Sequence, residues 1–166
     1  DSDGYVKITG RIKELYVSSG GKNIAPLVIE ETMKSIPMVS QCMLIGDGRK
    51  YCSALFTLDV GAILRDKHGM DPAKIPKDPV VQITTLESFG KTLSDYTDSE
   101  EIFNEMQVEV NRLNGQFSNP EQIKKFTILP RDLNVDFGEL TPTLKIRRIQ
   151  IRENWASEIE SMYEGA

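Results

Sequence analysis

The chain has 166 residues, 39% of them hydrophobic and 27% charged, with a formal net charge of −5. That is enough apolar material for one domain with a real core, and the acidic balance argues against a nucleic-acid partner, which demands a basic face. No run of about eighteen apolar residues occurs, so nothing reads as a membrane span.

Asp1-Ser2-Asp3-Gly4 lacks a methionine and the charged and apolar regions of a signal peptide, so a fragment or a processed chain is expected. Tyr5, Val6 and Ile8, a turn at Thr9-Gly10, then Ile12, Leu15, Tyr16 and Val17 predict a tight β-ribbon. A glycine turn, Ser18-Ser19-Gly20-Gly21, follows it. Pro26 suits the first turn of a helix, and Ile29, Met33 and Ile36 keep helical spacing until Pro37.

Two apolar runs, residues 38–45 and 51–58, flank a loop with two glycines and predict an antiparallel hairpin with buried strands. Cys42 and Cys52 lie inside these runs and are expected as buried free thiols, with a disulfide between facing strands as the alternative. Asp59 can cap a helix running to Lys67. His68, the one histidine, falls at its end before Gly69, where a partly exposed side chain is expected. With a single histidine and no nucleophile motif there is no credible metal cluster or histidine-dependent triad.

Residues 69–97 carry Asp71-Pro72, Ile75-Pro76 and Asp78-Pro79 and read as an irregular insertion, with one short helix over 85–93. Ser99 opens a strong helix, in which Ile102, Met106, Val110, Leu113 and Phe117 recur at steps of four, four, three and four. Residues 124–129 read as a third strand and 130–139 as a loop. Ile149, Ile151, Trp155, Ile159 and Met162 give a last amphipathic helix. The expected class is α+β, an N-terminal β-ribbon plus a small three-stranded sheet covered by helices, as one domain over 1–166.

Two segments carry more chemistry than the rest. In the first, Arg11, Lys13 and Glu14 charge a ribbon that feeds Gly20 and Gly21. Glycines permit close approach of a backbone or a narrow ligand, and the Arg11 fork suits phosphate or ribose oxygens. Composition alone would make this a solvated surface turn. In the second, Gly138-Glu139-Leu140-Thr141-Pro142-Thr143-Leu144-Lys145-Ile146-Arg147-Arg148, Pro142 stiffens the approach to Lys145. A lysine is a compact charge suited to a transferring phosphoryl or carboxylate group. As a plain helix start, this basic stretch opposes the helix macrodipole.

In this order the segments resemble the adenylate-forming acyl-CoA synthetases. Asp1-x-x-Gly4-Tyr5-x-x-Ile8-x-Gly10-Arg11-x-Lys13-Glu14 matches that family's junction between its large N-terminal and small C-terminal domains. Ser19-Gly20-Gly21-Lys22-Asn23-Ile24-x-Pro26 continues it, and Leu140-Thr141-Pro142-Thr143-Leu144-Lys145-x-x-Arg148 matches its C-terminal lysine motif as long-chain members spell it. The stretch from Lys13 to Asn23 is most similar to the bubblegum-type branch.

The resemblance implies the C-terminal lid domain of a long-chain fatty acid:CoA ligase. Such an enzyme uses ATP and Mg2+ to form an acyl-adenylate, then a thioester with CoA, as the lid swings between two poses. It implies that Lys145 is the catalytic lysine of adenylation, Lys13 the hinge and Arg11 a nucleotide-binding residue. Gly20 and Gly21 would line the pantetheine tunnel, with Lys22 a candidate for CoA phosphates. The family's phosphate-binding loop and its ribose-binding Thr-Gly-Asp are absent, so the chain's own N-terminal domain is an expected partner and the fragment alone is expected to be inactive. A lid for an aryl acid or fatty acyl-AMP ligase, or a stand-alone binding module, are the alternatives. A cytoplasmic location is expected, with peripheral membrane attachment of the whole enzyme left open.

Overall fold

A computed structural model describes residues 15–164. Strands β1 (Tyr16–Val17) and β2 (Asn23–Ile24) pair antiparallel across the glycine turn, with Tyr16 opposite Ile24. Tyr16 and Ile24 face inward and are 4% and 1% exposed, while Val17 and Asn23 face out, the alternation that a pleated strand imposes. The earlier strand expected to pair with Tyr16 and Val17 lies outside the described residues. Here the partner is the far side of the glycine turn.

Helix α1 (Pro26–Met33) starts on Pro26, whose missing N–H would have been unpaired in any case, and no side chain caps it. It buries Ile29, Glu30 and Met33 against the main sheet. That sheet has the order β3-β4-β5, with β3 (Val39–Ile45) antiparallel to β4 (Cys52–Leu58) and β5 (Ile123–Ile128) parallel to β4. The central strand β4 is buried along its whole length. Both faces are therefore covered, which explains why it reads as a continuous apolar run rather than an alternating one.

Alternation along the strands splits the core in two. Leu44, Ala54, Phe56 and Phe126 face α1 and the crossover helices, whereas Met43, Ile45 and Leu55 face Ile151, Trp155 and Ile159. Cys42 lies on the first side, and both cysteines are free. Burial pushes both thiols up, Cys52 to about 11, which suits inert core residues.

A parallel pair needs a long crossover, and residues 59–122 supply it. Asp59 Oδ1 accepts the amides of Gly61 and Ala62 at 3.0 and 3.4 Å, opening α2 (Val60–His68), and Gly69 closes it in the left-handed conformation at φ 65. His68 is half-exposed, bonds Tyr96 Oη through Nε2 at 2.6 Å and stacks on Phe89.

The segment 69–97 is more ordered than its prolines suggest. It holds a 3-10 turn (Pro72–Lys74), α3 (Pro79–Ser88) and the short α4 (Ser94–Thr97). The helix expected over 85–93 starts earlier because Asp78-Pro79, read as loop punctuation, is its cap and first turn. Asp78 accepts the Val80 amide at 2.8 Å. Val80 and Val81 are 73% and 45% exposed, so no clean apolar stripe announces α3, yet Leu86 is fully buried in the first core.

Helix α5 (Glu100–Asn114) begins on Ser99 as expected and stops before Phe117, because Asn114 turns its side chain onto β5. It donates to the Ile123 carbonyl and accepts the Ile123 amide, both at 3.0 Å. The last amphipathic stretch is not one helix but two, α6 (Arg148–Asn154) and α7 (Ala156–Ser161), broken at Trp155 with φ −119 and ψ 28.

Candidate functional site

Lys145 sits on a small hairpin, not at the helix start that its basic neighbours suggest, since α6 begins three residues later at Arg148. Leu140 and Ile146 form an antiparallel bridge at the base. Above it, the Thr141 amide donates to the Lys145 carbonyl and the Leu144 amide to the Thr141 carbonyl, both at 2.8 Å, while Thr141 Oγ1 accepts the Lys145 amide at 3.1 Å. Pro142 holds the second turn position, where its fixed φ is favourable. Leu144 then takes the left-handed conformation at φ 64, a place usually given to glycine. The result is an exposed Lys145 whose backbone amide and carbonyl are both hydrogen-bonded to Thr141 and whose ammonium has no ion pair among the described residues.

Glu139 fastens this hairpin to the domain. Its carboxylate is fully buried and accepts both Arg131 guanidinium nitrogens (2.8 and 2.9 Å), Trp155 Nε1 (2.8 Å), Asn154 Nδ2 and the Asn134 amide (both 3.1 Å). Burial pushes the carboxyl up, but these donors outweigh it and hold it below the ordinary carboxylate range. The Glu139 carbonyl also accepts the Arg147 amide at 2.8 Å, closing the hairpin on its far side. The Trp155 indole bond accompanies the break between α6 and α7.

A second buried carboxylate, Glu30, takes Arg148 in a bidentate pair at 2.5 and 2.7 Å and also accepts the Leu44 amide at 2.7 Å. Tyr16 completes this cluster. Its hydroxyl donates to the Leu44 carbonyl and receives Arg148 and Arg152 at 3.2 and 3.1 Å. Burial raises the Tyr16 pKa, and the two arginines only partly offset that. Strand β1, helix α1 and the start of α6 are thereby joined, and beside them Leu15, Ile146, Arg147 and Ile149 line a groove of about 570 Å3.

Gly20 and Gly21 lie in an exposed turn closed by the Ser18 amide on the Lys22 carbonyl at 2.9 Å, with Gly21 at φ 82. The Ser19 amide reaches the Arg49 carbonyl at 2.9 Å, and the Arg49 side chain pairs with Glu160 in α7. The lysine hairpin leads into α6 while the glycine turn is held beside α7, and the two motif segments meet where Arg148 reaches the Tyr16 hydroxyl at 3.2 Å.

Arg11 and Lys13 lie outside the described residues. Sequence reasoning missed Glu30, Arg131 and Glu139 as supports. The one available signal was a carboxylate set among apolar inward-facing neighbours, Glu30 between Ile29 and Met33. Among the described residues no group of three His, Cys, Asp or Glu side chains could hold a metal ion, and no helix is long and apolar enough to cross a membrane.

Comparison with known proteins adds the following. The family model described as the AMP-binding enzyme C-terminal domain matches residues 13–70. The long-chain-fatty-acid–CoA ligase FadD15 of Mycobacterium tuberculosis is 36% identical over 163 residues, covering 98% of this chain and 25% of that protein. The long-chain-fatty-acid–CoA ligase ACSBG1 of Mus musculus is 34% identical over 169 residues, covering 99% of this chain and 23% of that protein. The chain thus spans about a quarter of the length of these relatives. Among solved structures, the adenylation domain of a carboxylate reductase from Mycobacterium chelonae shares the fold, with a TM-score of 0.63, 18% identity and coverage of 92% of this chain and 20% of that one.

Proposed function

We propose that this chain, whose residues 13–70 match the AMP-binding enzyme C-terminal domain model, is the lid domain of a long-chain fatty acid:CoA ligase. The observation that carries the reading is similarity to long-chain-fatty-acid–CoA ligases along 98% of the chain. The reaction proposed for the whole enzyme has two halves. A fatty-acid carboxylate attacks the α-phosphorus of ATP, giving an acyl-adenylate and pyrophosphate. The CoA thiol then attacks the acyl carbon, releasing AMP.

Lys145 serves the first half. Its ammonium offsets charge that builds on the carboxylate and α-phosphate oxygens as the new bond forms, and its fixed backbone means little reorganisation at that moment. The rigid mounting on Glu139 supports this role, as does the absence of a competing ion pair among the described residues. Gly20 and Gly21 would face the thiol co-substrate in the second half, when their end of α6–α7 is turned to the reaction centre. Lys13 would be the hinge and Arg11 a contact to the nucleotide. Among the described residues no cluster fits Mg2+, and the metal and most ATP contacts would belong to the rest of the enzyme. The whole enzyme would work in the cytoplasm, peripheral on membranes that hold its substrate.

The test uses Lys145→Ala in the full-length enzyme. Fatty-acid-dependent exchange between pyrophosphate and ATP should fall about a hundred- to a thousand-fold, while thioester formation from supplied acyl-adenylate stays within a few-fold of wild type. Equal loss of both half-reactions would refute the role given to Lys145.

A further inference from the structure

Leu144 stands in a backbone conformation that the chain otherwise gives to glycine. Among the described residues the left-handed positions are Gly21, Gly48, Gly69, Gly90, Gly138 and Leu144, the last at φ 64. A Cβ in this conformation crowds the carbonyl that follows it. Asparagine and aspartate soften that clash by bonding their side chains locally, and leucine has no polar atom with which to do so.

The turn itself does not need the leucine, because the chain builds the same turn elsewhere with glycine. At 18–22 the Ser18 amide donates to the Lys22 carbonyl at 2.9 Å and the Gly21 amide to the Ser18 carbonyl at 2.9 Å, while the Lys22 amide reaches Ser18 Oγ at 3.1 Å. At 141–145 Thr141, Leu144 and Lys145 repeat these three bonds at 2.8, 2.8 and 3.1 Å. Gly21, at φ 82, holds the place of Leu144. Nor does the core need it, since the Leu144 side chain is 62% exposed and belongs to neither apolar cluster. Strained backbone persists only where its surroundings enforce it, and such positions gather at functional sites. Here the bonds to Thr141 and the buried Glu139 anchor at the base of the hairpin enforce it. What the strain presents to solvent is an apolar side chain immediately before Lys145. A charge acting on a carboxylate or phosphate is worth most where water is kept away.

We propose that Leu144 is a water-excluding residue of the adenylation site, exposed in this domain and buried over the acyl-adenylate when Lys145 engages it. The proposal rests on the role given to Lys145 above. The reaction it suppresses is hydrolysis of the intermediate. A water oxygen bonds to the acyl carbon and gives up a proton, the bond from that carbon to the phosphate oxygen breaks, and AMP leaves with the electron pair. The products are the free fatty acid and AMP, and the ATP is wasted.

The experiment compares Leu144→Gly, Leu144→Asn and Leu144→Met with wild type in the full-length enzyme. Supplied acyl-adenylate is held by excess enzyme without CoA, and its decay to fatty acid and AMP is followed. Leu144→Gly and Leu144→Asn should speed the decay roughly ten-fold, the low end of what one apolar contact is worth in an active site. Leu144→Met keeps an apolar side chain of similar volume and should stay within about two-fold of wild type. Melting temperatures of the glycine and asparagine variants should equal or exceed that of wild type, because both residues relax the left-handed position. An unchanged decay in both variants would overturn the proposal. So would fast decay in Leu144→Gly alone, which would point to a mobile turn rather than to lost apolar cover, or a methionine variant as leaky as the asparagine one. A lowered melting temperature in the glycine and asparagine variants would show that contacts within the domain hold the leucine, and would overturn it too. A Lys145→Ala enzyme that keeps full pyrophosphate exchange would refute the reading beneath the proposal, and is seen without any Leu144 variant.

Discussion

At position 139 a carboxylate with no solvent exposure gathers donors from Arg131, Asn134, Asn154 and Trp155. The bidentate arginine bond joins opposite charges in a fixed geometry, and the Arg131 guanidinium also lies over the rings of Phe137 and Trp155 at 4.1 and 4.8 Å. This anchor offsets the strain next door, where Leu144 in a left-handed conformation costs about 1–2 kcal/mol. Glu139→Gln keeps the shape but leaves the Arg131 charge without its partner, and should lower stability by about 3 kcal/mol at neutral pH in urea unfolding. The folded-state pKa of Glu139 lies below its unfolded value of about 4.3, because the donors outweigh burial. Its contribution is therefore complete above that value and is lost as pH falls through the lower folded pKa. The gap between wild type and Glu139→Gln should narrow as pH falls below about 4. A gap that stays constant into strong acid would mean that the ionised carboxylate is not what stabilises the hairpin.

At the scale of elements, the parts with strong local signals were legible in the sequence. Asp59, Ser99 and Pro26 open helices where they were expected to, and the two apolar runs pair as a hairpin. The misplacements have a common cause in tertiary contacts that no local pattern records. Helix α3 hides because its valines are exposed and only Leu86, with half-buried Ile83 beside it, packs on the core. The break between α6 and α7 lies at Trp155, whose indole bonds a carboxylate 16 positions earlier. If 69–97 is integral to the core through α3, Leu86→Ala should cost about 2–5 kcal/mol, whereas Val80→Ala on the same helix should stay within about 0.5 kcal/mol of wild type. Thermal unfolding of the two variants side by side decides it. Similar small effects would make α3 a loosely attached surface element.

At the scale of the whole molecule, the site was legible as residue types in order and illegible as a mechanism of support. Lys145, Gly20 and Gly21 stand in motifs, but Glu30 and Arg148 are 118 positions apart, and their pairing follows only from α1 and α6 meeting beside one sheet. That sheet also links the two cores, because its alternating residues feed both, with the lysine hairpin fixed to the second core through Trp155 and the crossover helices packed on the first. The two cores are therefore expected to unfold together. Trp155 is the only tryptophan and reports on the second core, whereas Phe56 lies wholly in the first. Phe56→Ala should lower stability by about 3–5 kcal/mol and shift the Trp155 fluorescence transition and the far-UV circular dichroism transition by the same amount in urea. A fluorescence midpoint that held still while the dichroism midpoint moved would show two independent cores. The domain would then lack the rigidity that the proposed two-pose role demands of Lys145 and the glycine turn.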